Sequence, residues 1–118
     1  MLTRNVIDMV GNTPLINLQK LLPKTSAEVW LKLESGNPTG SFKDRMAVSV
    51  LTKAIARGEL SPGDKVVEYT GGSTGTALAF VSSHLALKFT AVFSDAFSDS
   101  KRLAMEAFGA EVIIEKSE

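Results

Sequence analysis

The chain has 118 residues, which suits one domain, and its 44% hydrophobic and 22% charged residues are typical of a globular protein. Thirteen basic residues balance thirteen acidic ones, so no net charge favours nucleic acid, an anionic membrane or an acidic partner. The lack of cysteine and the single histidine, His84, exclude disulfides, thiolate nucleophiles and Cys- or His-rich metal sites, and we predict no metal. Without a signal peptide or an apolar run of membrane-spanning length, the sequence indicates a cytoplasmic protein with no membrane partner.

The hydrophobic pattern divides the chain into strands and helices that alternate. In chain order the predicted elements are a helix at 3–10, a turn at 12–14, a strand at 28–33, turn formers at 35–40, a helix from Ser41 to Gly58, a strand at 65–69, a loop at 70–75, a helix at 76–87, a strand at 89–93, a helix at 98–108 and a strand at 111–114. From residue 28 the order is β-α-β-α-β-α-β, which favours an α/β fold with an open parallel sheet and helical crossovers. Such a sheet binds its ligands at the carboxyl ends of its strands.

Individual residues predict the helix ends and the core. Thr3 is the expected N-cap of the first helix and Ser41 that of the second, with Asp44 in the acceptor position of a capping-box variant. The side chains expected in the core or on a strand face are Ala47, Val50, Leu51, Ala54 and Ile55, which recur at helical spacing, and Trp30, Phe42, Phe80, Phe89 and Phe93. His84 is expected to be a surface or hydrogen-bonded histidine.

Residues 70–75 read Thr-Gly-Gly-Ser-Thr-Gly and join a predicted strand to a predicted helix. Glycines allow a sharp turn that points several N–H groups at one place, and the hydroxyls of Thr70, Ser73 and Thr74 add donors. With the positive end of the helix, the loop predicts a cradle for a small anion such as a carboxylate or a phosphate. No lysine follows Gly75, so the loop is not a nucleotide P-loop. A tight strand-to-helix connection with capping hydroxyls and no ligand accounts for the same residues.

Lys43 lies at the start of the predicted helix that follows Ser41. The helix dipole disfavours a cation there, which helps to keep the amine neutral, as a lysine that forms a Schiff base must be. The dipole contributes only about 0.3–1 kcal/mol, so burial in a cleft would have to supply most of the effect. The alternative is a surface lysine paired with Asp44 or another carboxylate.

Four segments of the chain form a set with a recognisable order. They are Val10-Gly11-Asn12-Thr13-Pro14-Leu15; Leu31-Lys32-Leu33-Glu34 running into Asn37-Pro38-Thr39-Gly40-Ser41-Phe42-Lys43-Asp44-Arg45; Glu68-Tyr69-Thr70-Gly71-Gly72-Ser73-Thr74-Gly75; and the stretch from Arg102 to Val112. Together they resemble the cysteine synthase/cystathionine β-synthase family of fold-type II pyridoxal-phosphate enzymes, in the tryptophan synthase β superfamily. The resemblance implies that residues 1–118 form the N-terminal α/β domain of such an enzyme, with the remainder of the cofactor-binding domain absent.

The same resemblance implies roles for individual residues. Lys43 matches the lysine that binds the aldehyde of pyridoxal 5′-phosphate as a Schiff base and later removes the substrate Cα proton. The residues that match the loop binding the substrate carboxylate are Thr70, Gly71, Gly72, Ser73 and Thr74. The family loop usually reads Thr-Ser-Gly-Asn-Thr-Gly, so Gly71 replaces a serine, and Ser73 replaces the asparagine that contacts the 3′ oxygen of the cofactor. Both replacements change the hydrogen bonds that the loop offers.

The activity implied is β-replacement or β-elimination on a serine- or cysteine-type amino acid, in amino-acid biosynthesis, with the pyridine ring of the cofactor as electron sink. The expected substrate is a small amino acid, no nucleic-acid partner is expected, and the full-length protein is expected to be a homodimer. The 118-residue chain is expected to be inactive alone. Two alternatives stay open, namely a serine/threonine dehydratase or racemase of the same superfamily, and a non-catalytic truncated paralogue that keeps the fold.

Overall fold

The computed structural model describes residues 2–117. The strands and α-helices of these residues are, in chain order, β1 (Leu15–Asn17), β2 (Trp30–Lys32), α1 (Lys43–Ala56), β3 (Lys65–Tyr69), α2 (Ser73–His84), β4 (Lys88–Ser94), α3 (Asp99–Ala107) and β5 (Glu111–Glu115). Short 3₁₀ helices lie at Val6–Met9, Gln19–Leu21 and Glu34–Gly36. From α1 onwards the order of elements is the one predicted from the hydrophobic pattern.

A parallel sheet of β3, β4 and β5, with β4 in the middle, organises the second half of the chain. Its register places Val66 opposite Phe89 and Ala91 opposite Val112. The helix α2 connects β3 to β4 and α3 connects β4 to β5, so each crossover moves the chain to the adjacent strand. The predicted α/β fold with a parallel sheet and helical crossovers is confirmed.

The strand β2 does not belong to this sheet, and the predicted four-strand order is wrong at this point. β2 pairs antiparallel with β1, with Leu15 opposite Lys32 and Asn17 opposite Trp30. All residues of both strands are exposed. Alternation of side chains predicts a strand but not its partner, and β1 is far closer to β2 along the chain than β3 is, which lowers the entropy cost of pairing. The parallel sheet therefore has three strands within the described residues.

The hydrophobic core lies between the parallel sheet and the helices α2 and α3, and it continues between α2 and α1. Its buried side chains are Ala47, Leu51, Ala77, Leu78, Ala79, Phe80, Val81, Leu87, Phe89, Ala91, Phe93 and Met105. The edge-to-face contact between the rings of Phe80 and Phe108, with centroids 5.5 Å apart, extends this core towards the end of α3. The apolar character of α2, which is buried along most of its length, follows from its position between α1 and β4.

Of the side chains predicted to lie in the core or on a strand face, three are exposed, and one of these, Trp30, lies on a strand as predicted. Trp30 is 51% exposed and Phe42 58% exposed, and Val50 on α1 is 52% exposed. Trp30 belongs to the separate two-stranded sheet, and Val50 lies at the margin of a helix face on which Ala47 and Leu51 are buried. The remaining predictions hold, because Phe80, Phe89 and Phe93 are buried and His84 is on the surface.

The N-terminal helix begins later than predicted. It is a 3₁₀ helix at Val6–Met9, and its N-cap is Asn5, whose side-chain oxygen accepts the N–H of Ile7 at 3.0 Å. Thr3 does not cap it, because its hydroxyl accepts the N–H of Asn5 and donates to the carboxylate of Asp8. Among residues 2–117, no helix has the length and apolar character needed to cross a bilayer.

Candidate active site

Lys43 is the first residue of α1 and its side chain is half-buried. Its backbone N–H donates to the hydroxyl of Ser41 at 3.2 Å, so Ser41 supports the helix start although Phe42 occupies the N-cap position. The Nζ atom lies 4.9 Å from the centroid of the Phe42 ring, a distance typical of a cation–π contact. Within residues 2–117 this amine makes no ion pair with a carboxylate.

Asp44 does not take the roles that the sequence suggests. Its side chain is completely buried, Oδ2 accepts the backbone N–H of Thr39 at 2.8 Å, and Oδ1 accepts the hydroxyl of Thr39. The predicted capping-box arrangement with Ser41 is therefore wrong, because α1 begins two residues after Ser41 and Asp44 turns back to the preceding loop. A pair between Lys43 and Asp44 is not formed among the described residues, so this explanation of Lys43 is not supported.

A network that we call the polar clamp surrounds Glu34 and consists of Thr13, Glu34, Asn37 and Arg45. The guanidinium of Arg45 donates twice to the carboxylate of Glu34, from Nε at 2.8 Å and from Nη2 at 2.9 Å. The hydroxyl of Thr13 donates to Glu34 at 2.5 Å and the amide of Asn37 donates at 3.0 Å. These hydrogen bonds, that of Arg45 first and then that of Thr13, lower the pKa of Glu34 from 4.5 to about 2.

The polar clamp joins the first two of the four sequence segments to each other at the first turn of α1. Asn37 accepts the N–H of Gly11 at 2.9 Å through its side-chain oxygen. Gly11 has a φ of +94°, and a Cβ there would lie 3.0 Å from Nη1 of Arg45. Arg45 is two residues from Lys43, so the clamp fixes the backbone that carries the amine. Sequence reasoning missed the clamp because its members are up to 32 residues apart, as in the bond from Arg45 to Thr13.

The loop after β3 is shaped by Thr70. This residue is buried, and its hydroxyl oxygen accepts the N–H of Gly75 at 2.9 Å and that of Gly72 at 3.4 Å. Its own N–H donates to the carbonyl of Val92 on β4 at 2.9 Å, which continues the parallel ladder past the end of β3. Thr70 therefore closes the loop from inside, as a capping residue does.

Gly75 allows α2 to begin close to its neighbours. A Cβ at this position would lie 2.5 Å from Cγ2 of Thr70 and closer still to Sδ of Met105, which is fully buried on α3. No residue with a side chain fits there without moving one of them. The glycine thus fixes the start of α2 against Thr70 and α3.

The first turn of α2 leaves hydrogen-bond donors free. α2 begins at Ser73, three residues earlier than predicted, so Ser73 and Thr74 supply the N–H groups that have no partner inside a helix. Within residues 2–117, neither these N–H groups nor the two side-chain hydroxyls have a hydrogen-bond partner, and both residues are partly exposed. A Cβ at Gly72 would meet nothing within 4 Å, so the space beside these donors is open. These features suit a small anion.

Gly71 is covered by an aromatic ring that the sequence did not point to. A Cβ at Gly71 would lie within 2.5 Å of three atoms of the Phe97 ring. Phe97 follows β4 in the loop that leads to α3. The carboxyl ends of β3 and β4 are adjacent in the parallel sheet, which brings this ring onto the loop after β3.

The described residues place the site on open surface. Residues 70–75 lie at the carboxyl edge of the parallel sheet, and α1, which carries Lys43 at its start, packs on α2. Residues 2–117 form no pocket, so the cleft expected around Lys43 is not made by these residues alone. They also contain no group of three His, Cys, Asp or Glu side chains that could hold a metal ion.

Comparison with known proteins places the chain among enzymes of one cofactor class. The family described as pyridoxal-phosphate dependent enzyme matches residues 6–117. Cysteine synthase B of Escherichia coli (strain K12) is 47% identical over 105 residues, which are 89% of this chain and 35% of that protein. O-ureido-L-serine synthase of Streptomyces lavendulae is 41% identical over 113 residues, which are 96% of this chain and 35% of that protein.

Solved structures agree with the sequence comparison. The crystal structure of an O-ureido-L-serine synthase has a TM-score of 0.92 and 40% identity to this chain, and the match covers 98% of this chain and 36% of that one. A hydrogen sulfide-producing enzyme from Fusobacterium nucleatum also has a TM-score of 0.92, with 33% identity, and is matched over 99% of this chain and 38% of its own. The chain thus spans about a third of the length of these relatives. Because the family match extends over nearly every residue, the chain belongs to the family of pyridoxal-phosphate dependent enzymes.

Proposed function

We propose that the full-length protein catalyses β-replacement or β-elimination on a serine- or cysteine-type amino acid with pyridoxal phosphate, and that residues 1–118 are its N-terminal α/β part. The observation that carries the proposal is Lys43. It stands in an unbroken Ser-Phe-Lys-Asp-Arg motif, at the start of α1, and no carboxylate among the described residues neutralises its amine. In this account Lys43 is the residue that holds the cofactor.

The residues present fit pyridoxal phosphate in their chemistry. The cofactor presents an aldehyde, which requires a primary amine, and Lys43 supplies one that is half-buried and unpaired within residues 2–117. It also presents a phenolic 3′ oxygen, and the free hydroxyl of Ser73 at the start of α2 suits that group. When bound, the cofactor supplies an electron sink for the electron pair released at the substrate Cα.

Lys43 has two roles in the proposal. Its amine would hold the cofactor through the aldehyde, and the same amine, when free, would accept the proton from the substrate Cα. Both roles require an amine that is not held in an ion pair. Asp44 and Arg45 hold this helix turn in place, because the side chain of Asp44 is bonded to Thr39 and that of Arg45 to Glu34.

The loop at residues 70–74 binds the substrate carboxylate in the proposal. The N–H groups and hydroxyls of Ser73 and Thr74 are the available donors, and the helix N-terminus adds a favourable partial charge. Gly71 and Gly72 contribute backbone only. Thr70 shapes the loop through its bonds to Gly72 and Gly75.

The names of the relatives favour β-replacement over the dehydratase and racemase alternatives. Cysteine synthase B and O-ureido-L-serine synthase are both named for amino-acid products that carry a new substituent on the side chain. The proposal therefore takes an activated serine as donor and a small nucleophile as acceptor. We further propose that the full-length protein is a homodimer and that residues 1–118 alone are inactive, since the described residues 2–117 form no pocket.

The test is to mix the longest natural form of the protein with pyridoxal phosphate and to record the absorption band of the lysine-bound cofactor. The band is expected in the wild type and in Lys53→Ala, a control on the same helix, and is expected to be absent in Lys43→Ala. With O-acetyl-L-serine and sulfide, cysteine formation by Lys43→Ala should fall by at least about 10²-fold, the lower end of a general base's contribution. A band that persists in Lys43→Ala, or that the wild type lacks, contradicts the proposal.

A further inference from the structure

The ring of Phe97 occupies the space that a side chain at position 71 would need. A Cβ built on Gly71 would lie within 2.5 Å of three ring atoms, so a side chain at 71 would require the ring, which is the outer end of the Phe97 side chain, to move from its present position. Gly71 and Phe97 are therefore a matched pair.

Phe97 is held in this position by its contact with the core residue Phe93 and by a backbone hydrogen bond. Its ring lies 5.6 Å from the ring of Phe93, which is only 2% exposed in the core of the parallel sheet. Its N–H donates to the carbonyl of Ser94 at 3.1 Å, which makes a tight turn directly after β4. Phe97 itself remains 44% exposed, so one part of the ring is supported by the core while another part faces outwards.

We propose that Phe97 is a specificity-determining residue that excludes water from one side of the substrate-carboxylate site. The inference rests on the function proposed above for residues 70–74. The free N–H groups of Ser73 and Thr74 lie two and three residues after Gly71, and the space at Gly72 is open. A carboxylate bound there has the ring as its neighbour on the Gly71 side.

Exclusion of water strengthens a charged hydrogen bond more than a neutral one. The interaction between a carboxylate and N–H donors increases as the local dielectric falls, whereas a neutral carboxamide gains much less. The ring therefore raises the preference of the site for a carboxylate over an amide. A simple packing role for Phe97 predicts no such discrimination.

The experiment compares two probes, L-serine and L-serinamide, which differ in the carboxylate alone. The full-length protein loaded with pyridoxal phosphate is titrated with each, and the change in the cofactor's absorption gives the dissociation constant. In Phe97→Ala the dissociation constant of L-serine should rise about tenfold, as for the loss of roughly one charged hydrogen bond, while that of L-serinamide changes less than about twofold. Leu103→Ala, an exposed apolar residue of α3, is the control and should change neither.

Two further variants keep the test independent of any misfolding of Phe97→Ala. Phe97→Leu retains bulk without the flat ring and should show an intermediate loss of preference for L-serine. The double variant Gly71→Ser with Phe97→Ala supplies a hydroxyl in place of the ring and should regain part of that preference. Equal changes for the two probes in both Phe97 variants, or no change for either probe, overturn the inference.

The matched pair is also tested without cofactor, by urea unfolding of the apoprotein. Gly71→Ser alone should be destabilising because the ring must move, and Phe97→Ala should relieve part of that effect, so the two changes are not additive. Additive effects would show that the ring does not lie on Gly71 and would overturn the inference.

The failure of the proposed function and the failure of this inference give different results. If the wild type forms no absorbing complex with pyridoxal phosphate, the proposed function fails, and the inference, which rests on it, fails too. A wild type that binds L-serine while the Phe97 variants are unchanged overturns the inference alone.

Discussion

The two parts of the candidate site are built by different interactions. Lys43 stands at the start of a helix that polar contacts hold, with Asp44 bound to Thr39 and the polar clamp around Glu34. Within residues 2–117, the loop at residues 70–75 has no charged contact of this kind: it is held by the uncharged hydrogen bonds of Thr70 and by packing, with Gly75 between Thr70 and Met105 and the Phe97 ring on Gly71. The strands also differ. β1 and β2, which pair with each other, are exposed, whereas β4, which accepts a hydrogen bond from the loop residue Thr70, is mostly buried.

This difference indicates how each part responds to change. Hydrogen bonds and ion pairs of a carboxylate depend on pH and on a matching partner, but they tolerate small changes of volume nearby. A packed contact is insensitive to pH but does not accept an added methyl group. Substitutions chosen by size and by charge should therefore separate the two parts.

The largest effect is expected from Gly75→Ala. The new Cβ would overlap Sδ of Met105 and Cγ2 of Thr70, so the free energy of unfolding should fall by about 2–3 kcal/mol. The matched control is Gly36→Ala, near the polar clamp, where a Cβ would be 3.6 Å from Cγ2 of Thr13, an ordinary contact distance. That change should stay within about 0.5 kcal/mol in urea unfolding. If the two substitutions lowered the free energy of unfolding equally, tight packing would not distinguish the loop from the region of the polar clamp.

A slightly smaller effect is expected from Asp44→Ala. The carboxylate is completely buried, and its removal leaves the N–H and the hydroxyl of Thr39 without a partner, at a cost of about 2 kcal/mol. Asp44→Asn keeps one oxygen acceptor in the same shape and should cost clearly less. Urea unfolding measures both. If alanine and asparagine were equally destabilising, the hydrogen bonds to Thr39 would not be the stabilising contribution of Asp44.

The smallest effect is a pH dependence of the polar clamp. Hydrogen bonds from Arg45 and Thr13 lower the pKa of Glu34 from 4.5 to about 2, so the clamp is fully stabilising above pH 4.5. Its contribution decreases as the pH falls from 4.5 towards 2, because the unfolded chain then binds a proton that the folded one does not. The difference in thermal unfolding midpoint between wild type and Glu34→Gln should therefore shrink over that interval.

The control for this pH dependence is Glu59→Gln. Arg57 also lowers the pKa of Glu59, but the side chains of this pair are 59% and 56% exposed, so solvent screens their attraction. Its unfolding midpoint should differ little from that of the wild type between pH 2 and 5. A difference for Glu34→Gln that is constant over this range would contradict the assignment of the lowered pKa to the folded clamp.

Local patterns were sufficient to predict the second half of the fold. Strands β3 to β5, the crossover helices and the class of the fold follow from hydrophobic periodicity and from glycines such as Gly58 and Gly109, both with positive φ at helix ends. The partner of β2 could not be predicted, because periodicity does not encode pairing. The same limit applies to Asp44. Its spacing from Ser41 suggested a helix cap, but in the fold its carboxylate accepts hydrogen bonds from Thr39.

The candidate site was predictable where a motif is contiguous and not where it is assembled by the fold. Lys43 and residues 70–74 were found from short segments and from a family resemblance, and their roles stay predictions. The contact of Phe97 with Gly71 and that of Arg45 with Thr13 join residues more than twenty positions apart in the chain. Neither residue type nor spacing indicates such contacts before the strands are placed.

The central claim is that the amine of Lys43 bonds covalently to pyridoxal phosphate. It is tested most directly by reducing the loaded, full-length protein with borohydride and locating the cofactor by peptide mass spectrometry. One modified peptide is expected, with the added mass on Lys43 and with Lys32 and Lys53 unmodified. Added mass on a different lysine, or on none, would contradict it.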